Sequence, residues 1–301
     1  MNGFLIVNKP TGRTSSDVVV FVRKRLPRGT TVGHGGTLDP EASGVLPVCV
    51  GSAARLFDYI IDKQKTYVAR LKLGVETDTQ DATGQVVRTL PVTVGEAEVR
   101  AALGRFVGDI EQVPPMYSAL KRDGKRLYQL ARKGESVALE PRPCQVDAIE
   151  YLGDEGDGVH LLRITCGKGV YIRTLCHDIG QTLGCGAHMR TLERVAAGIF
   201  HIDSALSPEQ VDALAAGGRL QEALIPLDAP LAHLPEVRVG ERSRHAVLNG
   251  NPLRAGWLDR PAPDAPAVRV YLNDKFAGIG APQPNGDVKF RAMLYKPGEN
   301  G

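Results

Sequence analysis

The sequence predicts an α+β fold with a small β-rich domain at its C-terminal end, and three observations lead there. Strand-like and helix-like runs follow one another in mixed order, without the regular strand–helix–strand alternation of a doubly wound sheet. Residues 67–73 alternate with period two, Tyr67, Ala69, Leu71 and Leu73 on one face and Val68, Arg70 and Lys72 on the other. From about Leu234 helical periodicity gives way to short β-like runs broken by Pro and Gly.

Taken in order, residues 4–7 read as a strand entering a Lys9-Pro10 turn. Ser16 or Asp17 then caps a helix, DVVVFVRKRL, that stops before Pro27 and Gly29. After a glycine-rich loop, the apolar run 45–50 reads as a buried strand. The acidic stretch ETDTQDATG (76–84) is not a calcium loop, because Gln80 occupies a ligand position and no Glu closes a twelve-residue loop; it reads as a turn between strands. Thr93 and Glu96 form a capping box for a helix to about Leu103. Pro114-Pro115 precede a basic segment that is helical over about 126–132. Segments 145–152 and 159–166 pair around the turn GDEGDG. Gly167-Lys168-Gly169 introduces a strand end at 170–172, followed by a helix to about Leu183. Ser207-Pro208-Glu209-Gln210 starts another helix, with Pro at its first position. The C-terminal strands fall at 237–239, 268–272, 275–279 and 288–294. Pro226, Pro230 and Pro235 mark the junction, dividing the chain into residues 1–233 and 234–301.

Composition narrows the function classes. At 43% hydrophobic and 24% charged residues the chain matches an ordinary soluble globular protein, and no apolar run approaches the roughly 18 residues of a membrane span. The start MNGFLIVNKP lacks a basic n-region and a cleavage site, so it reads as a strand rather than a signal peptide. The five cysteines form no CxxC pair and read as reduced thiols of a cytoplasmic protein; the seven histidines show no HExxH or other metal spacing, so no metal site is expected. A net charge of +3 is too small to argue nucleic-acid binding, but its distribution is informative. Between Lys121 and Lys133 lie Lys121, Arg122, Lys125, Arg126, Arg132 and Lys133 against Asp123 alone, with Tyr128 among them. The first forty residues carry Lys9, Arg13, Arg23, Lys24, Arg25 and Arg28 against Asp17 and Asp39. Cations interleaved with aromatics suit a phosphate backbone with bases stacked beside it.

Chemistry concentrates on Asp39, in the stretch VGHGGTLDPEASGVLPV (32–48). Gly33, Gly35, Gly36 and Gly44 with Pro40 and Pro47 make a shaped loop, and glycine lets backbone approach a ligand closely. A carboxylate held there, beside His34 and at the mouth of an apolar strand, occupies a position typical of catalytic groups. Neither GHGGT nor GKG continues into the GK[ST] signature of a nucleotide phosphate loop.

The segments VNKPTGRTSSDVV, GHGGTLDPEASGVLPV, KTYVARLKLGVETDTQDATG, PPMYSALKRDGKRLYQLARKGESV and KGVYIRTLCHDIGQTLGCGAHMRTLERVAAGIF, in that order, resemble the bacterial tRNA pseudouridine-55 synthases of the TruB type. The resemblance implies a catalytic domain with a mixed, mainly antiparallel sheet, carrying an RNA-contacting insertion at about 119–143. It implies a PUA-like RNA-binding domain at the C-terminal end. It also implies an isomerase acting on the T-loop uridine of tRNA, without metal or cofactor, as a cytoplasmic monomer needing no protein partner. Asp39 matches the family's essential aspartate, Tyr67 the tyrosine against the flipped base, and Arg173 the arginine that pairs with the aspartate. For binding, His34 matches a T-loop contact, Leu192 an apolar wall of the base pocket, and Lys9 a residue near the site's floor that supports the loop or a phosphate. Lys121, Arg122, Lys125 and Arg126 belong to the insertion that closes over RNA. Two departures stand out: Gly35 where the family usually has Thr, and Val170 where it usually has Thr or Ser. A role in helping tRNA fold is compatible with the same residues.

Overall fold

A computed structural model describes residues 1–60, 64–118, 120–122, 124–127, 130, 135 and 137–295. Among these, strands β1 (Gly3–Lys9), β2 (Val32–His34), β3 (Ser43–Val50) and β4 (Lys65–Leu73) come first. The hairpin β5 (Val75–Thr77) and β6 (Val86–Thr89) follows, then β7 (Gly108–Gln112) and the short pair β8 (Lys121–Arg122) and β9 (Lys125–Arg126). Next come β10 (Arg142–Asp154), β11 (Val159–Cys166), β12 (Ala187–Ala197) and β13 (Phe200–His201). The main sheet runs β1-β3-β12-β4-β11-β10-β7, with β2 added to β3 and β13 to β12. Every pairing in it is antiparallel except β12 against β3. The fold is therefore α+β with a mainly antiparallel sheet, as the irregular element order implies.

Burial follows the pleat. On β4, Tyr67, Ala69, Leu71 and Leu73 are buried and their neighbours are not. Their cluster is completed by Leu162 and Ile164 of β11 and by Ile172, Leu175 and Ile179 of the helix Ile172–Thr182. β1 is covered on both faces, so its alternate residues enter two cores. Leu5 and Val7 join Val18 and Val22 of the helix Ser15–Arg23 and Val211 of the helix Pro208–Ala216, whereas Phe4 and Ile6 join Val45, Phe200 and Leu231. The second of these clusters also contains Ala267, Ile279 and Leu294, so the C-terminal domain shares apolar core with the larger N-terminal part. That domain is a four-stranded sheet of β14 (Glu236–Val239), β15 (Val268–Leu272), β16 (Lys275–Pro282) and β17 (Val288–Met293), with its own core of Val237, Val247, Val268, Val270 and Val288.

Several local expectations shift. The first helix is capped by Thr14, not Ser16 or Asp17; the Thr14 hydroxyl accepts from the Asp17 N–H at 3.0 Å, and Asp17 accepts from the Thr14 N–H at 2.8 Å. The helix Glu96–Leu103 begins after Gly95, whose N–H donates to Glu98 at 3.0 Å, so Thr93 and Glu96 are not its box. Residues 167–171 form a loop where a strand end was expected, and Ile172 already opens the helix. The helix expected over 126–132 lies largely outside the described residues; Arg126 itself is in β9. The cap at Ser207 and Gln210 forms as read, as do the β10–β11 pair and the turn between β5 and β6. Strands β7 and β12 have no counterpart in the sequence reading. No helix among the described residues is long and apolar enough to cross a membrane.

Candidate active site

The Asp39 loop is stapled down at several points. Lys9, fully buried, donates from Nζ to the carbonyls of Pro10 (3.0 Å), Arg13 (2.6 Å) and Pro40 (2.9 Å). Gly12 N–H also donates to Pro40 O at 2.9 Å. The Ser15 hydroxyl accepts from Leu38 N–H at 2.9 Å, and Ala42 N–H donates to Asp39 O at 3.1 Å. The turn that presents Asp39 is thus bonded immediately before and after that residue. Of the two roles expected for Lys9, support of the loop or of a phosphate, the bonds to these carbonyls match the first. Burial pushes its pKa down to about 8, against the pull of the Glu41 and Asp39 charges.

Arg173, in the first turn of the helix Ile172–Thr182, reaches the carboxylate. Its Nε lies 2.9 Å from Asp39 Oδ2, with the arginine side chain 6% exposed and the aspartate 39%. The other nitrogens are committed to backbone, Nη2 to Tyr117 O at 2.8 Å and Nη1 to Thr79 O at 3.4 Å. Asp81 Oδ2 stands 3.8 Å from Nη1. The other oxygen of Asp81 accepts from the hydroxyls of Thr79 (2.7 Å) and Thr83 (2.6 Å) and from Thr83 N–H (3.0 Å). A guanidinium fixed on four sides holds Asp39 in one orientation while leaving the carboxylate reachable.

Beside this pair lies a cavity of about 370 Å³ between the loop at Gly35–Thr37 and the loop at Gly167–Tyr171. Tyr67 and Arg194, cross-strand partners on β4 and β12, line it, and Lys65 and Lys168 stand in its wall. Its charged lining residues are all cations, which suits a phosphodiester. Burial pushes the phenols of Tyr67 and Tyr171 up, and the nearby Asp39 charge adds to it, so both rings are neutral near pH 7. Leu192, buried in the same core cluster as Tyr67 and Leu38, sits two residues before Arg194. His34 ends β2, next to Gly35; its Nδ1 is buried without a hydrogen-bond partner, and burial and the Arg194 charge push its pKa down, leaving the imidazole uncharged.

The two departures find places here. Gly35 N–H donates to Pro47 O at 2.7 Å, and a Cβ on Gly35 would stand 3.2 Å from the Pro47 Cβ, so a larger residue would press on the strand. Val170 lines the cavity and packs against the main core cluster. Lys121, Arg122, Lys125 and Arg126 lie on β8 and β9 by backbone; their side chains lie outside the described residues.

Sequence reasoning missed Asp81, Tyr171, Lys65, Lys168 and Arg194. Arg194 had a readable signal: Leu192, Arg194 and Ala196 share one parity of a strand and all are buried, which puts a cation at an inward position. Asp81 had none, being one acid among several in a polar turn.

Comparisons with known proteins identify the family. A family model described as the N-terminal domain of TruB family pseudouridylate synthases matches residues 24–172. Models for tRNA pseudouridylate synthase B and TruB C-terminal domains match 173–232 and 235–294. Proteins named tRNA pseudouridine synthase B are similar throughout. The one from Dechloromonas aromatica is 44% identical, covering 95% of this chain and 93% of its own length. The one from Aromatoleum aromaticum is 42% identical, covering 98% and 93%. Among solved structures, a Cbf5-Nop10-Gar1 complex matches with TM-score 0.71 at 27% identity, over 98% of this chain and 84% of that one. An H/ACA RNP bound to a substrate RNA containing 2′-deoxyuridine matches with TM-score 0.72 at 25% identity, over 98% and 85%. With its loop aspartate, paired arginine and cationic cavity in these positions, the chain belongs to the TruB family of pseudouridylate synthases.

Proposed function

We propose that this enzyme isomerises the uridine at position 55 in the T-loop of tRNA to pseudouridine, with Asp39 initiating the reaction. The observation that carries the reading is the 2.9 Å Arg173–Asp39 pair beside a cavity floored by Tyr67 and walled by cations. The reaction breaks the bond from ribose C1′ to uracil N1 and forms one from C1′ to C5. N1 gains a proton and C5 loses one, so no external oxidant or reductant takes part. Such a reaction needs a fixed carboxylate, a flat surface for the freed base and an extruded nucleotide. Extrusion costs a few kcal/mol, which phosphate and stacking contacts offset.

In this reading Asp39 acts on the nucleotide while Arg173 keeps its carboxylate aimed. Tyr67 lies against the base, with Leu192 behind it. Lys65 and Lys168 hold phosphates, and the neutral His34 stacks on the T-loop. Lys121, Arg122, Lys125 and Arg126 add affinity as the insertion closes over RNA. The C-terminal sheet serves as a PUA-like RNA-binding domain. The protein acts as a cytoplasmic monomer without an obligate protein partner or cofactor. The substrate RNA in one solved relative supports an RNA substrate here.

The test is tritium release from a T-stem-loop RNA labelled at uridine C5, since forming the new bond must expel that hydrogen. Release by the wild type and none by Asp39→Asn is expected. Release by both would overturn the assignment of Asp39. No release by either, with tight RNA binding, would favour a role in tRNA folding alone.

A further inference from the structure

Arg194 is 1% exposed, among the largest fully buried side chains of the described residues, and among these residues no carboxylate forms a salt bridge with it. A buried guanidinium of this kind is costly unless its donors are met. Here they are met by backbone: Nε donates to Val45 O at 2.7 Å, Nη2 to Gly36 O at 3.2 Å and Nη1 to Thr37 O at 3.4 Å. Gly36 and Thr37 lead into the turn that presents Asp39, and Val45 leads out of it. The same residue is the cross-strand partner of Tyr67, and its charge favours the phenolate form of that phenol. Backbone geometry protects this arrangement. At Gly44, whose φ is +102°, an added Cβ would stand 2.2 Å from the Arg194 carbonyl oxygen, so β3 can approach β12 only because that residue is glycine.

One side chain therefore bonds to both ends of the loop that presents Asp39 and lines the same cavity as Tyr67, its cross-strand partner. We propose that Arg194 is a positioning residue that couples Tyr67 to the Asp39 loop, so that carboxylate and ring are held in one register around the nucleotide. The inference rests on the pseudouridine synthase reading. Arg173 orients the Asp39 carboxylate from the helix side; Arg194 sets the loop backbone and the phenol from the sheet side. A displacement of the reacting groups by about 1 Å costs on the order of 100-fold in rate.

The experiment is a double-mutant cycle on full-length protein, read as the single-turnover rate of tritium release from C5-labelled T-stem-loop RNA. The variants are Arg194→Gln, Tyr67→Phe and the pair, with RNA affinity and thermal melting measured on each. We expect Arg194→Gln to lose about 100-fold in rate at nearly unchanged RNA affinity. The pair should lose little more than the more damaged single variant, because each removes the same coupling. Multiplicative losses would mean that Arg194 acts independently of Tyr67 and would overturn the proposal. Arg194→Lys guards against misfolding: it keeps the charge but cannot bridge both ends of the loop, so a folded Arg194→Lys with lost rate supports coupling. Full activity in that variant would reduce Arg194 to a buried charge and overturn it. Absence of release by the wild type would instead remove the parent reading.

Discussion

Replacing Lys9 with Met tests whether the floor of the site is a staple or an RNA contact. Methionine fills nearly the same volume, so the change removes chiefly the ammonium and its bonds to the Pro10, Arg13 and Pro40 carbonyls. A hydrogen bond to a charged group contributes about 1.5–3 kcal/mol, so the gross loss is roughly 4–9 kcal/mol. Removing a buried ammonium returns several kcal/mol of desolvation cost, leaving a net destabilisation of about 2–4 kcal/mol. Unfolding in urea should show that loss through the midpoint, with the slope unchanged. Because Pro40 adjoins Asp39, the single-turnover rate should fall about tenfold, while RNA affinity stays constant.

The sign of the pH dependence follows from the lowered folded pKa. Between about 8 and the ordinary value of 10.5, the unfolded chain carries a proton on Lys9 that the folded chain has released. The stability that Lys9 contributes therefore rises with pH across that window and is flat below it. The gap between wild type and Lys9→Met should widen from pH 8 to 10. An unchanged melting curve with weakened RNA binding would show that Lys9 meets RNA and that the staple argument is wrong.

Two further outcomes are expected. Gly44→Ala should destabilise the protein by more than about 2 kcal/mol, since it combines a positive φ with backbone overlap. Gly12→Ala, at φ +80° with open space around it, should cost only about 1 kcal/mol; equal melting temperatures for the two would refute the close β3–β12 approach. Replacing Lys121, Arg122, Lys125 and Arg126 together with Ala should weaken tRNA binding and flatten its salt dependence, by up to about three units of slope if all four meet phosphates. The rate at saturating RNA should stay nearly intact, and lost rate at unchanged affinity would contradict that division of labour.

The elements legible from sequence are those whose burial obeys a simple period. β4 alternates without interruption, and its buried face was read residue by residue. The Ser207–Gln210 cap was legible because the whole signal lies in four residues. β12 was invisible because its pairing to β4 shifts register between Met189 and Thr191 and again between Arg194 and Ala196. The first shift moves the buried set from Ala187 and Met189 to Leu192, Arg194 and Ala196, so the strand as a whole shows no sustained alternation. The first helix was read two or three residues late because residues of capping type, Thr14, Ser15, Ser16 and Asp17, are crowded together, and only the reciprocal bonds choose Thr14.

For the site the division is the same. The sequence by itself determined the chemistry: a carboxylate in a glycine-rich loop, a tyrosine on an alternating strand and an arginine at a helix start, within motifs specific enough to imply one family. The Arg173–Asp39 pair was implied by the resemblance; tertiary structure alone decided what surrounds it. Arg173 meets Asp39 because helix and loop converge at one end of the sheet, and Asp81 and the Tyr117 carbonyl complete its shell. For Lys9 the bonds favour loop support, one of the two roles the sequence left open, and Arg194 emerged between loop and cavity, because both cations are buried against backbone carbonyls. Those carbonyls are common to every residue, so no side-chain pattern in the sequence marks which of them a buried cation will meet.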